Sequence, residues 1–216
     1  MEYERPIATV DIVTLTLKDG ALHVALYPRA KPPFEGAHGL PGGYVHVDED
    51  ANLDAAARRV LRDKALLKGV YLEQLGTFSG ATRDPRGWSI SAAYVALLPQ
   101  ERIKGALLAK ADPVPRKLPF DHGAIVKAAL ARVRSKSVYS TLPTFLMPAE
   151  FTITELRDVY RIVLGIEKID LAGFRKKILD LRAIEPVEGK MRTGVHRPAQ
   201  LYRRVVKDIA LFDRTI

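Results

Sequence analysis

The chain has 216 residues, 47% hydrophobic and 27% charged, which suits a globular protein of two small domains or one large one. It contains no cysteine, which excludes disulfides, thiolate metal sites and thiol catalysis, and no apolar run approaches the roughly 18–20 residues that span a bilayer. A net charge of +9 favours an anionic partner, and the acidic start Met1-Glu2-Tyr3-Glu4 lacks the basic-then-apolar order of a signal peptide, so a cytoplasmic location is expected.

Val13, Leu15 and Leu17 alternate with Thr14, Thr16 and Lys18, the pattern of a half-buried strand. Asp19-Gly20 then signals a two-residue hairpin, with Leu22, Val24 and Leu26 on the return strand. A loop rich in proline and glycine runs from Pro28 to Gly43 and contains Pro32-Pro33 and Pro41-Gly42-Gly43. Leu53, Ala56, Ala57, Val60 and Leu61 recur at three- and four-residue spacing behind Asn52, which predicts a capped helix over 53–65. Strands are expected at 71–78 and 89–98, separated by the polar turn Arg83-Asp84-Pro85-Arg86-Gly87. Asp121 then opens a helix running to Val133.

The stretch from Ser135 to Pro148 carries two prolines and several hydroxyl residues, and divides the chain into domains 1–140 and 141–216. Beyond it Thr152 and Glu155 form a capping box for a helix that ends at Gly165. Asp170 caps a second helix through Leu181, with Leu171, Phe174, Ile178 and Leu181 on one face. Glu188-Gly189 and Thr193-Gly194 are expected as turns in a basic segment that ends in a strand at 200–206. Helix, turn, helix and basic hairpin is the order of a winged helix.

Between Asp170 and Lys207 ten basic residues face four acids, so +6 of the chain's +9 is concentrated there. Arg175 is the candidate for reading a base edge, and Lys176 and Lys177 for holding phosphates. Lys190, Arg192, His196, Arg197 and Arg203 belong to the wing. His196 has no second histidine near it and is read as a wing residue, not a metal ligand. Gly173 costs about 1 kcal/mol inside a helix relative to alanine. Two readings explain it equally: close approach of a sugar–phosphate backbone, or tight packing on the first helix. The plain alternative for this helix is a solvated basic surface; the order of elements together with the clustered charge favours DNA. An RNA-binding module is disfavoured because nothing resembles an aromatic stacking platform.

Gly43, then Glu49 after five residues, then a helix carrying Arg58, resemble the opening of a Nudix box. Eight residues separate Glu49 from Arg58 where the pattern has seven; Asp50 restores that spacing at the expense of the preceding one. The aliphatic position survives as Val60, but Arg59 and Arg62 replace two of the three helix glutamates and Asp63 the third. In a Nudix hydrolase such carboxylates hold Mg²⁺, which neutralises the pyrophosphate and activates water. Two guanidiniums repel that ion. The resemblance therefore implies a domain with no catalytic residue, metal or cofactor. Its arginines either bind phosphate oxygens or form a solvated helix face.

Over its whole length the chain resembles the Nudix-related transcriptional regulators, the NrtR-like family. The resemblance is carried by Tyr71-Leu72-Glu73-Gln74-Leu75, Arg83-Asp84-Pro85-Arg86-Gly87, Ile90-Ser91 with Tyr94, and Asp121-His122. It continues through Tyr139-Ser140, Phe151-Thr152 with Glu155-Leu156, Phe174-Arg175 and Arg197-Pro198-Ala199-Gln200-Leu201-Tyr202. It implies an α+β chain, a Nudix-type α/β/α sandwich followed by a winged helix-turn-helix domain. It also implies a homodimeric repressor or activator, the repressor favoured, on palindromic operator DNA that answers a phosphorylated effector such as ADP-ribose or another NAD-related metabolite. Phe34 is then expected to stack on that effector and Gly42 and Gly43 to allow close backbone approach. Arg29, Arg58, Arg59, Arg62, Arg83 and Arg86 are expected to meet its phosphates. Two alternatives stay open: a pyrophosphatase using Glu49, Asp50 and Asp63, and a sugar-sensing member of the same family.

Overall fold

Asp19 and Gly20 turn the chain with φ of 48° and 70°, the left-handed pair that a two-residue hairpin needs. They join β1 (Ile7–Lys18) to β2 (Ala21–Pro28). The structure is a computed structural model that describes residues 5–193 and 198–216. The chain divides into two units, one formed by residues up to Thr16 with Leu22–Leu130, the other by Leu17–Ala21 with Ala131–Ile216.

In the first unit, β3 (His38–Gly39), β4 (Gly42–Tyr44), β5 (Tyr71–Gly80), β6 (Ser89–Leu97) and β7 (Leu107–Lys110) complete a mixed sheet. Its order is β3-β2-β1-β6-β5, with β4 paired to β1 and β7 to β2. β1 and β6 run parallel, from Ile7 against Ser89 to Leu15 against Leu97. The expectation of a half-buried β1 is corrected: Thr14 and Thr16 are fully buried, as are Val13 and Leu15. The strand lies between β2 and β6 and is covered on both faces, so alternation of residue type does not mark a solvent side.

Helix α1 (Leu53–Ala65) starts where predicted, with the Asn52 side chain accepting from the Ala55 amide at 2.9 Å. It buries Ala56, Ala57, Val60, Leu61 and Ala65 in one cluster with Val10, Ile12, Ala25, Ala92 and Tyr94 of the sheet. The run of alanines brings the helix axis close, and Leu61→Ala would remove about 2–5 kcal/mol from this layer. Helix α2 (His122–Ser137) is longer than expected and buries Ile125, Val126, Ala129, Leu130 and Val133.

In the second unit, α3 (Ile153–Leu164) and α4 (Leu171–Asp180) are followed by β8 (Ile184–Arg192) and β9 (Ala199–Arg204). Both bonds of the Thr152/Glu155 capping box form, at 3.1 and 2.7 Å, and Gly165 ends α3 at φ 68°. Tyr160 is fully buried at the centre, 5.0 Å from the Phe174 ring and 6.3 Å from Phe212, with its hydroxyl donating to the Ser140 carbonyl at 2.8 Å.

Three details differ from expectation. Leu171 is 39% exposed, because only Phe174 and Ile178 of α4 reach the core. Glu188-Gly189 does not turn the chain; it lies within β8, where the pairing to β9 shifts between Pro186 and Met191 and Gly189 takes φ 68°. Gly173 is not required by packing on α3: among the protein's own atoms a Cβ there would meet only the Asp170 carboxylate, at 2.9 Å, the group that caps the helix. Among the described residues no helix is long and apolar enough to cross a membrane.

Candidate effector site and nucleic-acid interface

The loop after β2 and the segment before α2 meet through two rings. Phe34 and Phe120 pack edge to face at 5.0 Å, and both hold left-handed backbone conformations, φ 63° and 52°. Bulky residues seldom take that conformation, which costs energy that the surroundings must return. The Arg29 guanidinium lies 4.6 Å over the Phe120 ring while its Nε donates to the Pro33 carbonyl at 2.9 Å. Arg86 lies 5.3 Å over Tyr44 and 5.9 Å from Phe120, and also donates to the Tyr44 hydroxyl. A cleft of about 530 Å³ opens here, lined by Phe34, Ser79, Arg83, Pro85, Phe120 and Asp121 among others. Aromatic faces beside guanidiniums provide both a stacking surface and a binding surface for phosphate.

Behind the cleft lies a buried polar network centred on Asp11. Ser91 donates to Asp11 at 2.7 Å, Arg83 lies 3.5 Å away, and His122 Nε2 lies 3.6 Å from the other oxygen. Because His122 Nδ1 accepts from the Leu40 amide at 3.0 Å, the ring proton sits on Nε2 and points to Asp11. Burial pushes the Asp11 carboxyl up, but the His122 imidazole, the Ser91 hydroxyl and Arg83 outweigh it and hold it below its ordinary value. Arg83 also bonds Asp121 with two nitrogens, at 3.0 and 2.8 Å. Gly42 belongs to this network by its lack of a side chain, since a Cβ there would lie 2.0 Å from Asp11 Oδ1.

The Nudix-like helix does not present one cationic face. Arg59 turns to the loop before it, bonding Asp50 at 2.8 and 2.7 Å and the Tyr44 carbonyl at 2.8 Å. That hydrogen bond leads the causes that lower the Asp50 carboxyl to about 2. Arg58 pairs with Asp54 and Arg62 with Asp63, both at 2.7 Å and both exposed. These two arginines line a separate pocket of about 330 Å³ with Leu67, Lys68 and Val70. Of the expected effector residues, the structure thus brings Arg29, Phe34, Arg83 and Arg86 together, joins Arg59 and the Gly42-Gly43 strand to them through Tyr44, and sets Arg58 and Arg62 apart.

Sequence reasoning gave no site role to Asp11, Tyr44 or Phe120, and named His122 only within the Asp121-His122 match. Asp11 carried a usable signal, a carboxylate inside the apolar run Val10–Val13, since a buried charge must have partners. Phe120 and Tyr44 carried none, because their contacts with Phe34, Arg29 and Arg86 are made only by the tertiary fold.

In the second unit Arg175 and Lys176 are exposed on α4, and among the described residues neither has a carboxylate partner. The Arg175 guanidinium lies 3.5 Å from the Tyr202 hydroxyl. Lys177 donates to the Thr215 carbonyl. On β8 and β9, Lys190 pairs with Glu150 at 2.6 Å, Arg192 with Glu155 at 3.4 Å, and Arg203 with Glu185 at 2.6 Å. His196 and Arg197 lie outside the described residues.

The NrtR DNA-binding winged helix domain is the family whose model matches residues 143–204. A relative from Acinetobacter baylyi, the ADPR responsive transcriptional repressor NtrR, is 35% identical over 215 residues, covering 96% of this chain and 85% of its own. The crystal structure of Shewanella oneidensis NrtR complexed with a 27mer DNA superposes with a TM-score of 0.87 at 32% identity, over 97% of this chain and 99% of that one. The NUDIX domain of the same protein complexed with ADP ribose gives 0.55 at 33% identity, over 60% of this chain and 90% of that one. The sheet with α1 and α2 is therefore a Nudix-type fold, and the second unit carries a winged helix. On this evidence the chain belongs to the NrtR family of Nudix-related transcriptional regulators.

Proposed function

We propose that this regulator is a cytoplasmic homodimeric repressor. In this reading, residues 141–216 bind palindromic operator DNA, and residues 1–140 sense ADP-ribose or another NAD-related metabolite without hydrolysing it. The observation that carries the effector reading is the cluster at the cleft: Phe34, Phe120 and Arg83 line it, and Arg29, Arg86 and Tyr44 stack beside Phe120. A nucleoside diphosphate derivative offers a base to such rings and a pyrophosphate to such guanidiniums. The names of the Acinetobacter and Shewanella relatives agree with this ligand class. Arg29, Phe34, Gly42, Gly43, Arg59, Arg83 and Arg86 form the proposed effector set. Arg175 and Lys176 with Lys190, Arg192 and Arg203 form the DNA-contacting set.

An effector acts only by favouring one state over another. A hundredfold difference in affinity corresponds to about 2.7 kcal/mol of coupling, and linkage makes operator DNA weaken effector binding by the same factor. Calorimetry of ADP-ribose with and without operator DNA tests this. Equal affinity in both titrations would show that the site is no switch. Tight binding of a neutral sugar with no heat from ADP-ribose would replace the effector class.

A further inference from the structure

Helix α1 carries a basic residue that the box comparison passes over. The Lys64 ammonium donates to the Gly42 carbonyl at the edge of β4, and it lies 3.8 Å from where a Cβ of Gly43 would stand. The strand can come this close because position 43 has no side chain: a Cβ there would lie 3.1 Å from Val60 of α1. Around Lys64 the charge is unbalanced. Desolvation and the neighbouring Arg29, Arg59 and Lys31 depress its pKa, and only Asp11 opposes them among the main contributors. Arg29 is likewise lowered by desolvation and by Arg86.

The carboxylates that remain in the box are already occupied. Asp50 is held by Arg59 at 2.7 Å, and Glu49 lies 3.1 Å from His46 and 3.9 Å from Arg59. Asp63 is held by Arg62 at 2.7 Å. Among the described residues no group of three His, Cys, Asp or Glu side chains could hold a metal ion. A divalent cation would have to displace Arg59 from Asp50 and Arg62 from Asp63, and enter the field of Lys64 and Arg59. The residues present do not fit the metal of the Nudix pattern.

We infer that the Lys64 ammonium serves in place of that cation, so that a pyrophosphate-class anion binds beside Gly42-Gly43 through Lys64 and Arg29 with no metal ion. The inference rests on the effector reading for one of its probes, ADP-ribose, but not for its residues. An anion there relieves the repulsion among Lys64, Arg29 and Arg59, and its oxygens offer Lys64 an acceptor stronger than a neutral carbonyl.

The experiment titrates the full chain with ADP-ribose and separately with inorganic pyrophosphate, in EDTA and in excess Mg²⁺. Affinity in EDTA should equal that in Mg²⁺ or exceed it, because Mg²⁺ competes for free pyrophosphate. Lys64→Met, which keeps the aliphatic stem, should weaken both ligands about ten- to a hundredfold, as expected for one hydrogen bond to a charged group, and Lys64→Arg should largely retain them. Lys64→Gln is the second variant should Lys64→Met fail to fold by circular dichroism. Binding that requires Mg²⁺, or that survives loss of the ammonium unchanged, overturns the inference. Lys64-dependent binding of pyrophosphate without binding of ADP-ribose keeps it and removes the ADP-ribose reading. No binding of either probe removes both.

Discussion

Arg83 and Asp121, separated by 38 positions in the chain, meet through two hydrogen bonds at 3.0 and 2.8 Å, and the arginine side chain is only 7% exposed. The pair ties the turn between β5 and β6 to the start of α2. Removing one member of a buried charge pair is more damaging than the pair is stabilising, because the other is left without a partner. Arg83→Met should therefore lower stability by about 3 kcal/mol in urea unfolding. Adding Asp121→Ala to that background should recover part of the loss. A loss under 1 kcal/mol would show that the pair is solvated enough to be dispensable.

Asp50 gives a prediction in pH. Its carboxyl is lowered to about 2, first through the hydrogen bonds from Arg59. The folded value lies below the unfolded one, so its contribution to stability is complete above about pH 4 and is lost as pH falls toward the folded value. Carboxyl-carbon NMR should place the Asp50 transition near 2 in the parent protein. In Arg59→Ala it should return toward the ordinary value of about 3.9. An unchanged transition in that variant would assign the depression to another group.

Incubation with ADP-ribose and Mg²⁺ or Mn²⁺ should leave the compound intact, since Arg59 and Arg62 occupy glutamate positions and Asp63 is paired with Arg62. Turnover above about 0.1 s⁻¹, well below the enzyme median, that disappears in Asp63→Ala would establish a hydrolase.

On DNA, Arg175→Ala should cost about 1–3 kcal/mol and relax sequence preference at one position per half-site. Lys176→Ala should weaken all sequences alike and reduce the salt slope by about one unit. The wing cations behave differently, because Lys190 and Arg203 already have acidic partners, Glu150 and Glu185. To contact DNA as proposed, each must exchange a carboxylate for a phosphate. Glu150→Gln or Glu185→Gln should thus tighten binding to specific and random DNA by similar factors. Fluorescence anisotropy with both DNAs measures all four variants, and sequence-blind losses for Arg175→Ala would remove it as the reader.

Much of the architecture was legible in the sequence because it rests on local rules. The Asp19-Gly20 turn, the Asn52 and Asp170 caps, the Thr152/Glu155 box and the Gly165 stop all formed as their residue types dictate. Errors came where tertiary context overrides pattern. Thr14 and Thr16 are polar yet buried, and Gly189 bends a strand without ending it. The cleft was half legible. Arginines can be counted in a sequence, but whether Arg59 turns toward Tyr44 while Arg62 turns away depends on side-chain direction around one helix turn. Phe120 enters only through its backbone conformation, which no spacing rule announces.

Asp11 has one more consequence, for how the sheet finds its alignment. β1 and β6 are parallel and apolar over most of their length, with Val10, Ile12, Val13 and Leu15 facing Ala92, Tyr94, Val95 and Leu97. Such strands specify their offset weakly, because sliding by two residues exchanges one apolar contact for another. The carboxylate breaks that degeneracy. In the native alignment Asp11 stands opposite Ala93 of β6, close enough to take the Ser91 hydroxyl at 2.7 Å, with Arg83 and His122 beside it. A slipped pairing of β1 and β6 takes Ser91 away from the buried Asp11 carboxylate, and a buried charge that loses a partner is costly. One polar residue thus selects against misaligned folds that the hydrophobic residues around it would tolerate.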